Sequence, residues 1–399
     1  MKIVERYPAG LRAFHGKGAW SLLYPLKSFL SFSYGLYMSR AGGRGPGGGA
    51  GIQGGFREGR PFVISIGNLE AGGGGKTPVT LALASTIRDN GGSAVVVTRG
   101  YGGFAAKEGI PVSVGPSGPG VETDCPVVCL GSRGAADAPQ HTSCSVLAEQ
   151  WGIREESLRI AMTRIVGDEA MIYRSRMVPV VIDGDRARGV AFARRLYSPT
   201  HVLLDDAFQN NSIAKDLDIL LLDAEEPLGN GRLLPAGTLR ENPGAIARAD
   251  VVIFTRAASR EIRGGVGKYI GNKPVFFSSH RPAALIGRDG MEVPFSIPGD
   301  RQVAIYSGIA RPGSFEGTVI STGMQPAVSF RFGDHHWYRR EDVDFMLANS
   351  PGGAAFATTE KDWNKSADLF PAGIDLFALR VEADIGDKEG LLPLVGFGK

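Results

Sequence analysis

Phe62-Val63-Ile64-Ser65-Ile66 runs through Gly67 to Ala71 into Gly72-Gly73-Gly74-Gly75-Lys76-Thr77, and the helix-like segment Pro78 to Asn90 follows. A β-branched run that empties into a glycine-rich turn and then into a helix opening with Lys-Thr is the layout of a phosphate-binding loop. There, bare backbone N–H groups and the helix N-terminus hold anionic oxygens. The strict pattern has glycine five residues before Gly75, where Glu70 stands. Two readings follow: a nucleotide-binding loop, or a tight surface turn.

Outward from this loop, short β-branched runs alternate with amphipathic stretches. Ala94–Thr98, Val178–Ile182, Val202–Leu204 and Ile219–Leu222 read as strands, with a helix through Arg186–Tyr197. After Asp250 the alternation resumes with strands at Val251–Thr255, Pro274–Ser278, Val303–Tyr306, Ala327–Phe332 and Ala355–Thr358. Helices are expected near Pro312–Thr322 and Arg339–Ala348. This alternation predicts an α/β protein of two mostly parallel-sheet lobes, the first resembling a P-loop NTPase domain. The expected division is 1–55 for an N-terminal segment and linker, 56–245 for the nucleotide-binding domain and 246–399 for a C-terminal α/β domain. Gly103 to Arg164 is poor in pattern and reads as a hairpin with a long surface excursion.

The chain has 399 residues, 43% of them hydrophobic, enough for substantial cores and about two domains. A net charge of +3 without a long basic run argues against nucleic acid as a partner. Cys125, Cys129 and Cys144 lack the paired spacing of a zinc site and read as reduced thiols. Trp20 to Met38 is apolar and aromatic but interrupted by Pro25 and Lys27, so it fits neither a transmembrane helix nor a signal peptide. Its aromatic stripe, bracketed by Arg12, Lys17, Lys27 and Arg40, suits a helix in a membrane interface, or one packed on its own domain. Ala41 to Gly55 is a glycine-dominated linker.

Three polar clusters stand outside core periodicity. His201-Val202-Leu203-Leu204-Asp205-Asp206 is an apolar strand ending in two carboxylates. Beside a Gly-Lys-Thr loop such a pair holds Mg²⁺, with the Thr77 hydroxyl as a further ligand, although elsewhere it is a turn or helix cap. Gly167-Asp168-Glu169 opens a helix, where carboxylates also favour the dipole. Gly333-Asp334-His335-His336-Trp337-Tyr338 follows a strand, where His335 is either a loop residue or a partner for a carboxylate acting as general base.

Taken in order, Ser65–Leu69 with Gly72–Pro78, Thr98–Gly102, Gly167–Glu169, Asp205–Gln209, Gly231–Gly237 with Leu239–Glu241, Ser307–Ala310, Asp334–Tyr338 and Thr358–Asp362 resemble the tetraacyldisaccharide 4′-kinase family. The likeness spans nearly the whole chain. It implies ATP-dependent phosphorylation of the 4′-hydroxyl of a tetraacylated glucosamine disaccharide 1-phosphate, with Mg²⁺ as cofactor. It also implies a peripheral monomer on the cytoplasmic face of the inner membrane, in contact with its anionic surface through an N-terminal helix.

By residue, the resemblance implies that Gly72, Gly73, Gly74, Gly75, Lys76 and Thr77 bind the phosphates and that Thr77, Asp205 and Asp206 serve the metal. Gln209, Arg240 and Glu241 would line the nucleotide cleft. Asp168 would take the hydroxyl proton with His335 as its partner, and Lys76 and Asp206 would complete the catalytic set. Where the family continues the Asp-Asp block with glycine and later histidine, this chain has Ala207 and Asn210. Glu70 brings an unusual negative charge close to the phosphates. Two rival functions are a P-loop NTPase that couples hydrolysis to partner or membrane assembly, and a non-catalytic nucleotide-binding protein at the membrane.

Overall fold

A computed structural model describes residues 1–6, 59–115, 127–131, 140–155, 157–295 and 302–397. The segments expected as interfacial helix (Trp20 to Met38) and linker (Ala41 to Gly55) lie outside them. Among the described residues no helix is long and apolar enough to cross a membrane.

The strands are β1 (Lys2–Arg6), β2 (Phe62–Asn68), β3 (Ala94–Thr98), β4 (Val112–Val114), β5 (Val127–Leu130), β6 (Gln140–Ser143), β7 (Val180–Ile182), β8 (His201–Asp205), β9 (Leu217–Asp223) and β10 (Val251–Thr255). They continue with β11 (Val275–Ile286), β12 (Glu292–Val293), β13 (Val303–Ser307), β14 (Pro326–Phe332), β15 (Ala355–Thr359) and β16 (Leu376–Ile385). All join one sheet in the order β1-β14-β13-β15-β16-β11-β10-β9-β2-β8-β3-β7-β4-β5-β6, with β12 beside β11. The N-terminal half is parallel from β10 to β7, and the C-terminal half is parallel from β1 to β16. Strands covered on both faces read as unbroken apolar runs, which is why β2 is buried at every position.

The halves meet through β11 and β16, which pair antiparallel from Ser278↔Ile385 to Ile286↔Ala378 with an irregularity between Pro282 and Ala284. The start of β11 pairs with β10, and the start of β16 pairs with β15, so each long strand serves both halves. The expected strand at Pro274–Ser278 is therefore only the first part of β11. The expected hairpin is present as β4, β5 and β6, which extend the edge beyond β7 in antiparallel fashion.

Among the helices, α1 (Lys76–Asp89) buries Val79, Leu83 and Ile87 at four-residue spacing, one apolar stripe toward the sheet. Next come α2 (Phe104–Glu108), α3 (Cys144–Gln150), α4 (Leu158–Val166), α5 (Asp168–Ser175) and α6 (Arg186–Tyr197). The C-terminal half adds α7 (Gly267–Ile270), α8 (Pro312–Ser321), α9 (Arg340–Ala348), α10 (Glu360–Ser366) and α11 (Lys388–Leu391). One core packs Ile64, Leu83, Ile182 and Leu203; a separate one packs Tyr306, Phe330, Phe356 and Trp363.

Candidate active site

β2 lies between β8 and β9, and its helix returns through β3 beyond β8 while β9 lies on the other side. The carboxyl ends of parallel strands at such a reversal form the crevice where open α/β sheets bind ligands. The glycine loop emerges there. Gly72 and Gly75 have φ of 106° and 76°, which glycine adopts without strain. A Cβ on Gly75 would lie 2.5 Å from Cε1 of His280, and one on Gly74 would lie 2.3 Å from Nδ2 of Asn68.

The loop's carbonyls are turned into the protein. Arg256 donates to Gly73 O at 2.7 Å, Thr255 to Gly74 O at 3.2 Å, and the Gly74 amide to Gly72 O at 2.8 Å. No side chain caps α1. Pro78 has no N–H and Val79 N donates to Gly75 O at 3.3 Å, so the amides of Lys76 and Thr77 are the ones at this helix start without an intrahelical acceptor, the kind of donor that suits an anion.

Lys76 Nζ lies 3.5 Å from Asp206 Oδ1 and 3.4 Å from Asn68 Oδ1. Arg240 donates to both carboxylate oxygens of Asp206, at 2.8 and 2.9 Å. Burial favours the neutral acid, but the charges of Lys76 and Arg240 outweigh it and lower the pKa of Asp206. Gln209 reaches the same loop, donating to Asn68 O at 2.8 Å. Asp205 is 1% exposed; burial, with the charges of Glu169 and Asp206, pushes its carboxyl up to about 7. Its Oδ2 accepts from Tyr173 at 2.9 Å, whereas its buried Oδ1 has no hydrogen-bond partner.

A second cluster forms at the N-terminus of α5. Asp168 follows Gly167, whose φ is 90° and where a Cβ would lie 2.9 Å from Tyr101 O, so the turn is packed tightly on the loop after β3. His335 Nδ1 stands 3.1 Å from Asp168 Oδ2, and the His335 ring lies 4.8 Å from that of Tyr101. Lys365 Nζ is 3.4 Å from the same oxygen and 3.2 Å from Asp362 Oδ1. It acts on both as a charge, because neither contact has hydrogen-bond geometry. Burial would raise the Asp168 carboxyl, but the hydrogen bond with His335 and the charges of Lys361 and Lys365 hold it well below the ordinary carboxylate range. Its Oδ1 is buried without a partner.

The structure thus brings Lys76, Asp206, Arg240 and Gln209 together, and separately pairs Asp168 with His335. Tyr173 on α5 connects these sets through Asp205. Glu241 is not brought to the loop: Arg248 holds its carboxylate at 2.8 and 2.9 Å. Glu70 is engaged by Thr238 at 2.8 Å and Arg311 at 3.2 Å. The left-handed position in the Asp-Asp turn falls on Asp206, with φ of 50°, and Ala207 has no positive φ. Asn210 accepts from the Ser212 amide and hydroxyl within its own turn. Sequence reasoning missed roles for Tyr173, Arg256, His280, Lys361 and Lys365. Lys361 alone carried a signal, because it lies in the Thr358–Asp362 block.

The site fits a magnesium–nucleotide pair. Two carboxylates and a hydroxyl suit Mg²⁺, which shares its coordination between protein, water and phosphate. The partnerless Oδ1 of Asp205 and the uncapped α1 N-terminus supply the donors for that pair.

Residues 27–124 and 146–395 match the family described as tetraacyldisaccharide-1-P 4′-kinase. The tetraacyldisaccharide 4′-kinase of Anaeromyxobacter sp. (strain Fw109-5) is 32% identical over 400 residues, covering 96% of this chain and 93% of that protein. That of Geobacter metallireducens is 33% identical over 332 residues, covering 82% and 86%. A crystal structure of LpxK from Aquifex aeolicus in complex with ATP superposes with a TM-score of 0.64 at 25% identity, covering 94% of this chain and 98% of that one. With its family match spanning most of the sequence and relatives about a third identical over most of its length, this chain belongs to the tetraacyldisaccharide 4′-kinase family.

Proposed function

We propose that the protein transfers the γ-phosphoryl group of ATP to the 4′-hydroxyl of a tetraacylated glucosamine disaccharide 1-phosphate, a step of lipid A biosynthesis. The observation that carries this reading is Asp168: buried and ionised, with one oxygen held by its neighbours and the other without a hydrogen-bond partner, on the helix whose Tyr173 also holds Asp205.

The loop amides and Lys76 bind the phosphates, while Thr77, Asp205 and Asp206 hold the metal. Bound Mg²⁺ neutralises charge on the phosphates. Asp168 Oδ1 accepts the hydroxyl proton as the new O–P bond forms and the bond to the leaving nucleotide breaks. A carboxylate so stabilised is a weak base. That suits a loose transition state, in which the alcohol is deprotonated late and position contributes more than basicity. Arg240 holds Asp206, and Gln209 holds the backbone of Asn68, so both fix the donor side. Glu241, turned to Arg248, supports the Arg240 segment from behind.

The lipid acceptor stays in a bilayer, so the enzyme acts as a peripheral monomer on the cytoplasmic face of the inner membrane. The aromatic Trp20–Met38 segment and the anionic surface supply the contact. Incubation with ATP, Mg²⁺ and the disaccharide monophosphate, followed by mass detection, tests the reading. One added phosphate is expected. ATP hydrolysis that is indifferent to the lipid, with no phosphorylated product, would identify a coupled NTPase instead.

A further inference from the structure

We propose that Lys361 is a positioning residue that fixes the ring tautomer of His335 and thereby the hydrogen bond that His335 donates to Asp168 Oδ2. The inference rests on the reading of Asp168 as proton acceptor.

Lys361 Nζ lies 3.3 Å from His335 Nε2. An ammonium has donors only, so at this contact Nε2 is the acceptor and carries no proton. The ring proton of the neutral imidazole is then on Nδ1, the atom 3.1 Å from Asp168 Oδ2, and it is donated to that oxygen. The reverse tautomer would set Nε2–H against the ammonium and a bare Nδ1 against a carboxylate.

Charge around the contact keeps Lys361 in its donor form. Its ammonium is 3.5 Å from Glu169 Oε1 and 3.9 Å from Asp168 Oδ2, and Asp334 stands 4.0 Å from His335 Nε2. Burial opposes the charge, but Asp168, Glu169, Asp334 and Asp362 outweigh it and raise the lysine pKa. Oδ2 of Asp168 thus receives the imidazole N–H and the nearby charges of Lys361 and Lys365. Oδ1 is left buried and without a hydrogen-bond partner. Asp168 belongs to the N-terminal half, whereas His335, Lys361 and Lys365 all come from the C-terminal half. The base is therefore completed across the junction of the halves.

The test uses full-length protein labelled with ¹⁵N-histidine, which has six histidines, with the His335 signals assigned by their loss in His335→Gln. Lys361→Met keeps an unbranched, flexible side chain of similar length while removing the charge and the donors, so it perturbs little packing. In the wild type the neutral ring of His335 is expected as the Nδ1–H tautomer. In Lys361→Met it becomes a mixture of tautomers, kcat falls roughly 10-fold and the KM for ATP stays within about 2-fold. Lys361→Arg, which still donates to Nε2, restores both the tautomer and most of kcat. A Lys361→Met protein with His335 still wholly Nδ1–H, or with unchanged kcat, overturns the proposal. Asp168→Ala is the control. If it retains activity, the reading of the site fails; if it abolishes activity while Lys361→Met changes nothing, only the role of Lys361 fails.

Discussion

The Tyr173 hydroxyl lies 2.9 Å from Asp205 Oδ2, so α5, which begins with Asp168, also holds the buried carboxylate at the end of β8. One helix thereby sets the distance between the acceptor cluster and the donor cluster. Tyr173 is fully buried and its own pKa is raised well above the ordinary value, by burial and by the Asp205 charge, so it stays a donor.

Tyr173→Phe removes a hydrogen bond that favours ionised Asp205. The Asp205 pKa rises further, less of it is charged at neutral pH, and the Mg²⁺ concentration for half-maximal activity increases about 10-fold. A magnesium titration of turnover in wild type and variant checks this; coincident curves would remove Tyr173 from the metal side.

The pH dependence of stability has a definite sign. Asp205 titrates near 7 in the folded protein, against ~3.9 for an unperturbed aspartate, so the native state binds the proton more tightly. Its contribution to stability is complete below ~3.9 and is lost as pH rises through about 7. Melting temperatures without metal should fall over that window, and Asp205→Asn should flatten the fall. Mg²⁺ with ATP should displace the proton, so calorimetry at pH 6 in buffers of different ionisation enthalpy should register its release.

Glu70 is held by Thr238 and Arg311, and Arg311 also donates to Asp223 at 2.7 Å. Glu70→Gln is expected to change the ATP Kd by less than ~3-fold, because the pair is partly exposed and its charge is already compensated. Arg311→Ala leaves Glu70 and Asp223 with less compensation beside the loop and should weaken ATP binding by roughly 10-fold, with recovery in the Glu70→Gln double variant. Equilibrium binding of ATP measures all three. Equal affinities throughout would show that Glu70 is electrostatically silent.

Lys76→Ala and Asp168→Ala should each lower turnover by at least ~100-fold, the first through lost charge stabilisation and the second through the lost proton acceptor. Circular dichroism separates these effects from unfolding. Wild-type turnover in both would place the chemistry elsewhere.

Much of the donor side was legible because its parts are contiguous. Strand, glycine turn and helix follow one another in β2, Gly72–Gly75 and α1, and local backbone geometry alone assembles the turn and uncapped helix start proposed to hold the phosphates. Asp205 and Asp206 were readable because a carboxylate pair ends an apolar strand of the same sheet. Glu241 shows the opposite case. Its neighbour Arg240 reaches Asp206, but the chain bends at both residues, and Glu241 meets Arg248 instead.

Local pattern by itself determined the α/β class, the loop and the candidate carboxylates, since each depends on residues within a few positions of one another. Tertiary structure alone decided the rest. The β11–β16 ribbon pairs strands about a hundred residues apart along the chain, and no local period encodes that pairing. Lys361 and Lys365 sit four apart on a short helix and read as ordinary charges. Only folding sets them against Asp168 and His335, which lie 167 residues apart in the chain. Burial then decides their chemistry, because the same carboxylate in water would be neither desolvated nor surrounded by fixed cations.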